Sequence, residues 1–289
     1  MFKKKLNFIF WGTPDVASET LQILKEDGYI PSLIITAPDK PQGRKMIVTP
    51  PPVKIWAIEN KIPYLQPEKL NNDIMSKVPF DISDMSIVVA YGKIIPENII
   101  NIPKLGSINI HYSLLPKYRG ASPVESVILN GEIETGVTIQ KMEYKMDAGP
   151  IIAEEKTKIG EDEKAGELRQ RLIKIGGKLL VKILPKFLEG KLNLISQDEE
   201  KATYCKKIKK ENGLVDPEKD SPHVLYNKFR AYSIWPRIFF FKEGKRIIIT
   251  KARMENEKFV IEKILPEGKK EINWKEFSRQ GLTLSRLVF

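Results

Sequence analysis

Apolar and polar positions along this chain change period several times, and the changes mark out its elements. Leu6–Phe10 is a continuous apolar run ending at Gly12-Thr13-Pro14-Asp15, which predicts a buried strand turning into a helix over about Val16–Lys25. Ile30–Thr36 predicts a second strand, and strand, helix and strand with short joints point to a parallel, right-handed crossover unit. Helices are predicted over Val53–Asn60 and Asn71–Lys77, with a helix or loop over Ile94–Ile100. Ser86–Ala90 and Leu105–His111 read as buried strands of the parallel kind. Ser122-Pro123 has the form of an N-cap and first helical residue, opening a helix to about Asn130. Gly136–Met142 and Ile151–Thr157 follow as strands joined by the bend at residues 144–150. From Lys164 to Glu189, Leu168, Leu172, Ile175, Leu179, Ile183 and Phe187 recur at helical spacing, giving one long packing helix or two broken near Gly176-Gly177. The fold class is α/β.

Two stretches interrupt this alternation. Between Ala37 and Pro52 the proline and glycine punctuation predicts a long exposed loop without regular structure, carrying Lys40, Arg44 and Lys45. Such a loop is either a solvated basic segment or an insert that grips phosphate. Residues 191–207 read as a linker, dividing a first domain (1–190) from a tail domain (208–289). In the tail, a helix over Ser221–Tyr232 precedes a hairpin of Ile238–Phe241 and Arg246–Thr250 across a Lys242-Glu243-Gly244-Lys245 turn. Phe259–Leu265 and Leu282–Leu287 are further candidate strands, and short strands at this density point to a small barrel.

The 289 residues are enough for two cores. One cysteine, Cys205, excludes an intrachain disulfide and a cysteine metal cluster. No apolar run approaches the roughly 20 residues of a membrane span, so a cytoplasmic protein is expected. The net charge of +11 is unevenly placed: residues 205–289 hold 20 Lys and Arg against 11 Asp and Glu, whereas residues 1–204 hold 28 against 26. A near-neutral body with a basic tail points to a polyanionic partner held by the tail.

The richest stretch for chemistry is Gly106–Pro123, which holds one of only two histidines. Strand alternation puts Asn109 and His111 on one face and Ile108 and Ile110 on the other. A carboxamide donates to the oxyanion of a tetrahedral intermediate, and an imidazole takes a proton from an attacking amine and returns one to a leaving nitrogen. Asp147, on the glycine-flanked bend, is the carboxylate best suited to orient that imidazole. Each residue also has a plainer role open to it: His111 in packing, Asp147 in the turn, Asn109 as a cap. No Gly-x-Ser-x-Gly elbow is present, no Gly-x-Gly-x-x-Gly fingerprint favours a dinucleotide, and two distant histidines give no metal-ligand spacing.

Asn109-Ile-His111-Tyr-Ser113-Leu-Leu-Pro116-Lys-Tyr-Arg119-Gly120-Ala-Ser-Pro123, with Thr135-Gly136-Val137-Thr138 and Met146-Asp147-Ala-Gly149 downstream, resembles the folate-dependent formyltransferases. Gly12-Thr13-Pro14-Asp15, Pro38-Asp39-Lys40-Pro41-Gln42-Gly43-Arg44 leading to Pro52-Val53-Lys54, and Val89-Ala90-Tyr91-Gly92 are similar to the branch of that family acting on tRNA. The resemblance implies a Rossmann-like, mostly parallel sheet followed by an OB-like barrel. It implies transfer of a formyl group from 10-formyltetrahydrofolate to the methionine amine of initiator methionyl-tRNA, without a metal. Asn109, His111 and Asp147 would be the catalytic trio, and Ser113, Leu114, Leu115 and Pro116 would contact the folate. The basic loop would enter the acceptor stem through Arg44, supported by Lys40 and Lys45, while Lys206, Lys207, Lys209 and Lys210 would hold tRNA from the tail. Nothing in the sequence demands more than a monomer.

Tyr112 stands where the family usually carries glycine or proline, so its phenol must either point away from the strand end or narrow the cleft. Two other readings share much of this pattern: a formyltransferase acting on an amino-sugar nucleotide, and an RNA-binding relative without catalysis.

Overall fold

The computed structural model describes residues 6–43, 45–71, 78–80 and 82–278. Those within 1–119, 136–156 and 170–203 form one compact unit, and those within 120–135, 157–169 and 204–289 form the other. The second unit thus takes in two segments from within the stretch expected to form the first domain.

The first unit is built on a seven-stranded sheet of β1 (Phe8–Gly12), β2 (Leu33–Ile35), β5 (Tyr64–Leu65), β6 (Met85–Val89), β7 (Ser107–His111), β9 (Glu134–Lys141) and β10 (Ile151–Lys158), in the order β10-β9-β7-β6-β1-β2-β5. From β5 to β7 every pairing is parallel; β9 then runs antiparallel to β7. β1 and β6 are buried along their whole length, as expected of parallel strands covered on both faces. On one side Trp11 stacks on Phe80 and meets Tyr91 edge-on, within a core that includes Ile9, Ile35, Val88 and Ile99.

Helix α1 (Asp15–Glu26) follows β1, α2 (Pro52–Glu59) opens with proline at its first turn, and α3 (Glu97–Ile100) is a single turn. Further along are α4 (Pro123–Leu129) and α5 (Ala165–Leu188). Helix α5 is continuous, so Gly176-Gly177 does not break it. A Cβ on Gly177 would lie 2.6 Å from Ile23 Cδ1 of α1, and one on Gly176 would lie 3.1 Å from Ile110 Cγ2 of the sheet. The glycine pair lets the helix backbone sit close to its neighbours; it is a packing notch.

Residues 37–52 are a second correction. Strands β3 (Lys40–Gln42) and β4 (Ile47–Thr49) form an exposed antiparallel hairpin. Pro41 is tolerated because a two-stranded ribbon has solvent along both edges, where a missing N–H costs nothing. At its base Asp39 is held by Lys54 Nζ at 2.7 Å and Gln66 Nε2 at 2.7 Å. These bonds, that from Gln66 foremost and that from Lys54 next, keep the Asp39 carboxyl below the usual carboxylate range.

Short strands β8 (Arg119–Gly120) and β11 (Tyr204–Cys205) pair with each other. Ser122 sits at the N-cap position of α4, but its hydroxyl donates to Lys206 O and does not cap the helix. The tail contains α6 (Pro222–Ala231), capped by Ser221 Oγ accepting from Val224 N, and an antiparallel sheet of β12 (Phe239–Lys242), β13 (Lys245–Glu255), β14 (Lys258–Pro266) and β15 (Ile272–Asn273), followed by α7 (Trp274–Ser278). Glu243-Gly244 and Asn256-Glu257 close its two tight hairpins with positive φ at both positions of each pair, the backbone that two-residue turns require. Residues 72–77 of the candidate helix Asn71–Lys77 and the whole candidate strand Leu282–Leu287 fall outside the described residues. Among the described residues, no helix is long and apolar enough to cross a membrane.

Candidate active site

The carboxyl ends of the parallel strands are where open α/β sheets place their chemistry, and β7 ends there at His111. Ile108 and Ile110 are buried on one face of β7, while Asn109 and His111 lie on the other. Antiparallel register sets Gln140 opposite Asn109 and Thr138 opposite His111, so four polar side chains share one face of the β7–β9 pair.

Asp147 comes to this face from the bend between β9 and β10. Its φ is +51°, a left-handed conformation that a residue other than glycine adopts at some cost in strain. Gly149 is fixed by crowding: a Cβ there would fall 1.8 Å from Lys141 O. Gln140 Nε2 donates to Asp147 Oδ1 at 3.0 Å, and Asp147 Oδ2 faces His111 Nδ1 at 3.7 Å. The other ring nitrogen, Nε2, is 2.8 Å from Tyr118 O. A carbonyl oxygen can only accept, so the network assigns a hydrogen to Nε2 and leaves Nδ1 beside the carboxylate. The imidazole is only 5% exposed, but both nitrogens face polar partners, so its setting is buried without being apolar. Asn109 is half-buried, and its carboxamide makes no hydrogen bond to another described residue. Asn109, His111 and Asp147 therefore converge.

The loop after β7 is held from beneath. Thr138 Oγ1 donates to Ser113 O at 2.8 Å and accepts from Leu115 N at 3.1 Å, while the buried Ser113 Oγ donates to Lys117 O at 2.7 Å. Leu114 and Pro116 are half-exposed, whereas Leu115 is buried. Tyr112 takes the outward course of the two open to it. It lies on the face opposite His111, buried beside Gly176 of α5, and that burial pushes its phenol well above the ordinary tyrosine range.

A second layer of polar groups stands behind Asp147. Gln197 Nε2 donates to Asp147 O at 2.9 Å and Gly149 O at 2.7 Å; its Oε1 accepts from Arg119 Nε at 3.0 Å and Nη2 at 2.7 Å. Arg119 is fully buried and forms a two-pronged ion pair with Glu199, which also takes Lys145. Those two cations, Arg119 first, hold the Glu199 carboxyl down at about 2. Gln197 and Glu199 come from the stretch expected as linker. Alternation alone could have singled out Gln140, which shares the polar face of β9 with Thr138 while Val137 and Ile139 take the other, but nothing local marks Gln197.

Lys40 and Lys45 are exposed on the β3–β4 hairpin, and Arg44 lies outside the described residues. Lys206, Lys207, Lys209 and Lys210 are all exposed in the second unit. No group of three or more metal-binding side chains occurs among the described residues.

Residues 4–184 match the family model of formyl transferases and residues 207–260 that of the formyl transferase C-terminal domain. A methionyl-tRNA formyltransferase of Sulfurihydrogenibium sp. is 40% identical over 251 residues, covering 86% of this chain and 80% of its relative. One from Thermotoga maritima is 42% identical over 232 residues, covering 80% and 74%. This chain belongs to the methionyl-tRNA formyltransferase family. Among solved structures, a methionyl-tRNA formyltransferase from Clostridium thermocellum superposes with a TM-score of 0.60 at 17% identity, covering 93% of this chain and 99% of the other. The N-formyltransferase from Helicobacter canadensis, in complex with folinic acid and dTDP-3-aminofucose, gives 0.65 at 17% identity, with coverage of 89% and 95%. At such identities these two likenesses carry the fold alone, whereas the sequence relatives carry the family. The reaction of that family is formyl transfer.

Proposed function

We propose that this enzyme moves a formyl group from N10 of 10-formyltetrahydrofolate to the α-amino group of methionine on initiator methionyl-tRNA, with Asn109, His111 and Asp147 around the reacting carbon. The observation that carries the reading is the His111–Asp147 approach beside a carboxamide with no hydrogen-bond partner among the described residues. The neutral amine attacks the formyl carbon and a C–N bond forms. The carbonyl oxygen becomes an oxyanion that accepts from Asn109 Nδ2. The amine sheds a proton, the bond from carbon to N10 breaks, and N10 gains a proton. His111 Nδ1 is the nitrogen free to carry that proton, with Asp147 Oδ2 stabilising the ring while it is charged. A free α-amino group titrates near about 7.7–8.0, so a useful fraction is neutral at physiological pH.

In this reading Leu114, Leu115 and Pro116 form the apolar rim that meets the folate, and Ser113 sets the rim's shape through its bond to Lys117. Lys40, Arg44 and Lys45 meet the acceptor end of the tRNA, and Lys206, Lys207, Lys209 and Lys210 its backbone. Phosphate contacts of this kind position the substrate and are salt-sensitive. The division of labour is a catalytic domain at 1–190, to which Gln197 and Glu199 of the connecting stretch 191–207 add their contacts, and a tRNA-binding domain at 208–289, acting as a cytoplasmic monomer in translation initiation.

The test is incubation with charged initiator tRNA and 10-formyltetrahydrofolate, with the aminoacyl product analysed and His111→Ala run in parallel. Formylmethionine formed by the wild type and lost by about two orders of magnitude or more in the variant is the expected result. Equal rates in both would refute the assignment.

A further inference from the structure

Resting on the reading of His111 and Asp147 given above, we propose that Gln197 is a positioning residue for formyl transfer, acting through the Asp147 bend and itself oriented by Arg119 and Glu199. The orientation of its amide follows from its partners. Arg119 only donates, through Nε and Nη2, so Gln197 must present Oε1 to it. The nitrogen then faces the opposite way, and its two hydrogens reach Asp147 O at 2.9 Å and Gly149 O at 2.7 Å. One side chain therefore holds the carbonyls on both sides of Ala148. These are the backbone groups that fix how the left-handed Asp147 presents its carboxylate.

The rest of the carboxylate's freedom is removed by Gln140, which occupies Oδ1 and turns Oδ2 toward the imidazole. Gln197 Nε2 also lies 3.4 Å from Gln140 Oε1, so the two amides brace each other. Behind them Arg119 is fully buried, and its charge is matched by Glu199. An arginine in that setting has one arrangement that satisfies its donors, and this makes it a rigid stop for Oε1. Structural packing alone does not call for such a chain of partners. It ends on the residue whose placement decides the His111–Asp147 distance.

Gln197→Glu separates positioning from folding. A carboxylate keeps the size and remains an acceptor for Arg119, but has no N–H for the two carbonyls, so it keeps the rear contact and loses the front one. Gln197→Met keeps the length without either set of bonds. Both are compared with wild type and with His111→Ala by steady-state formylation of charged tRNA, by the pH profile of kcat and by thermal melting. The expected result for Gln197→Glu is a fall in kcat of about 10- to 100-fold, consistent with misplacement of a reacting group by an ångström or less. KM for folate and for tRNA stays near the wild-type value, and the pH profile of kcat moves. Gln197→Met shows the same pattern.

Wild-type kcat in either folded variant would overturn the proposal. So would a loss that tracks the folded fraction with an unmoved pH profile, or failure of both variants to fold, since each would make Gln197 part of the scaffold only. If His111→Ala retains full activity, it is the underlying assignment of the site that fails. If that control loses activity and the Gln197 variants do not, only the inference fails.

Discussion

Gln140 donates to Asp147 across seven residues of chain, at 3.0 Å, from the strand position directly opposite Asn109. The carboxamide and the carboxylate of the site are therefore registered to each other through one hydrogen-bonded intermediary. Gln140→Leu preserves bulk while removing the bond from Gln140 to Asp147 Oδ1. We expect kcat to fall about 10-fold or more with little change in KM, measured by steady-state formylation over a range of each substrate.

Among the described residues, the Asn109 carboxamide has no hydrogen bond that its removal would break. Asn109→Ala should therefore leave the melting temperature almost unchanged while lowering kcat by about 10² to 10³, the usual cost of one oxyanion donor. Single-turnover measurement with pre-bound substrates separates this effect from binding.

Glu199 titrates at about 2 in the folded protein against an ordinary value of 4.5. Its folded-state value is depressed, so its contribution to stability is fully present above the unfolded value and is lost as pH falls through the folded one. Glu199→Gln should melt below wild type at neutral pH. The gap should narrow from 4.5 downward and close only below about 2, where the wild-type carboxyl is neutral in both states. Thermal melts across that range check the sign; a gap independent of pH would mean the charge is not what matters.

Gly177→Ala gains helix propensity, worth roughly 1 kcal/mol in an open helix, but drives a methyl into Ile23. Overpacking should win, with a net loss of about 1–3 kcal/mol in denaturant melts. Trimming the neighbour with Ile23→Val should recover part of it.

Replacing Lys206, Lys207, Lys209 and Lys210 by glutamine should weaken initiator tRNA binding and flatten its dependence on salt, with folate binding intact. Filter binding at several salt concentrations reads the slope directly. Loss of folate binding in that variant would count against tail contacts as its cause.

The strands and helices that pack the first unit could be read from the chain because burial leaves a periodic record: β1, β6, β7 and α5 all fall within a few residues of their expected places. The convergence of Asn109 and His111 was equally legible, since strand alternation fixes it. Asp147 was placed by resemblance and by its glycine-flanked bend. Three things were hidden, for distinct reasons. The β3–β4 hairpin carries proline in a strand, which local propensity penalises and a solvent-edged ribbon permits. The Gly176-Gly177 pair looks like a break unless the close neighbours of α5 are known. Gln197 and Glu199 lie in a polar stretch with no period, and their partners are as much as 80 residues away along the chain.

The arrangement around the β7 strand end also has a stereochemical consequence. The carbon that passes between donor and acceptor briefly bears four different substituents: hydrogen, oxygen and two unlike nitrogens. In the proposed mechanism, an oxygen drawn to Asn109 and a proton carrier at the His111–Asp147 edge present one side of the planar formyl group to the amine, and the transient centre forms in a single handedness. The planar formamide that leaves the enzyme keeps no trace of that choice.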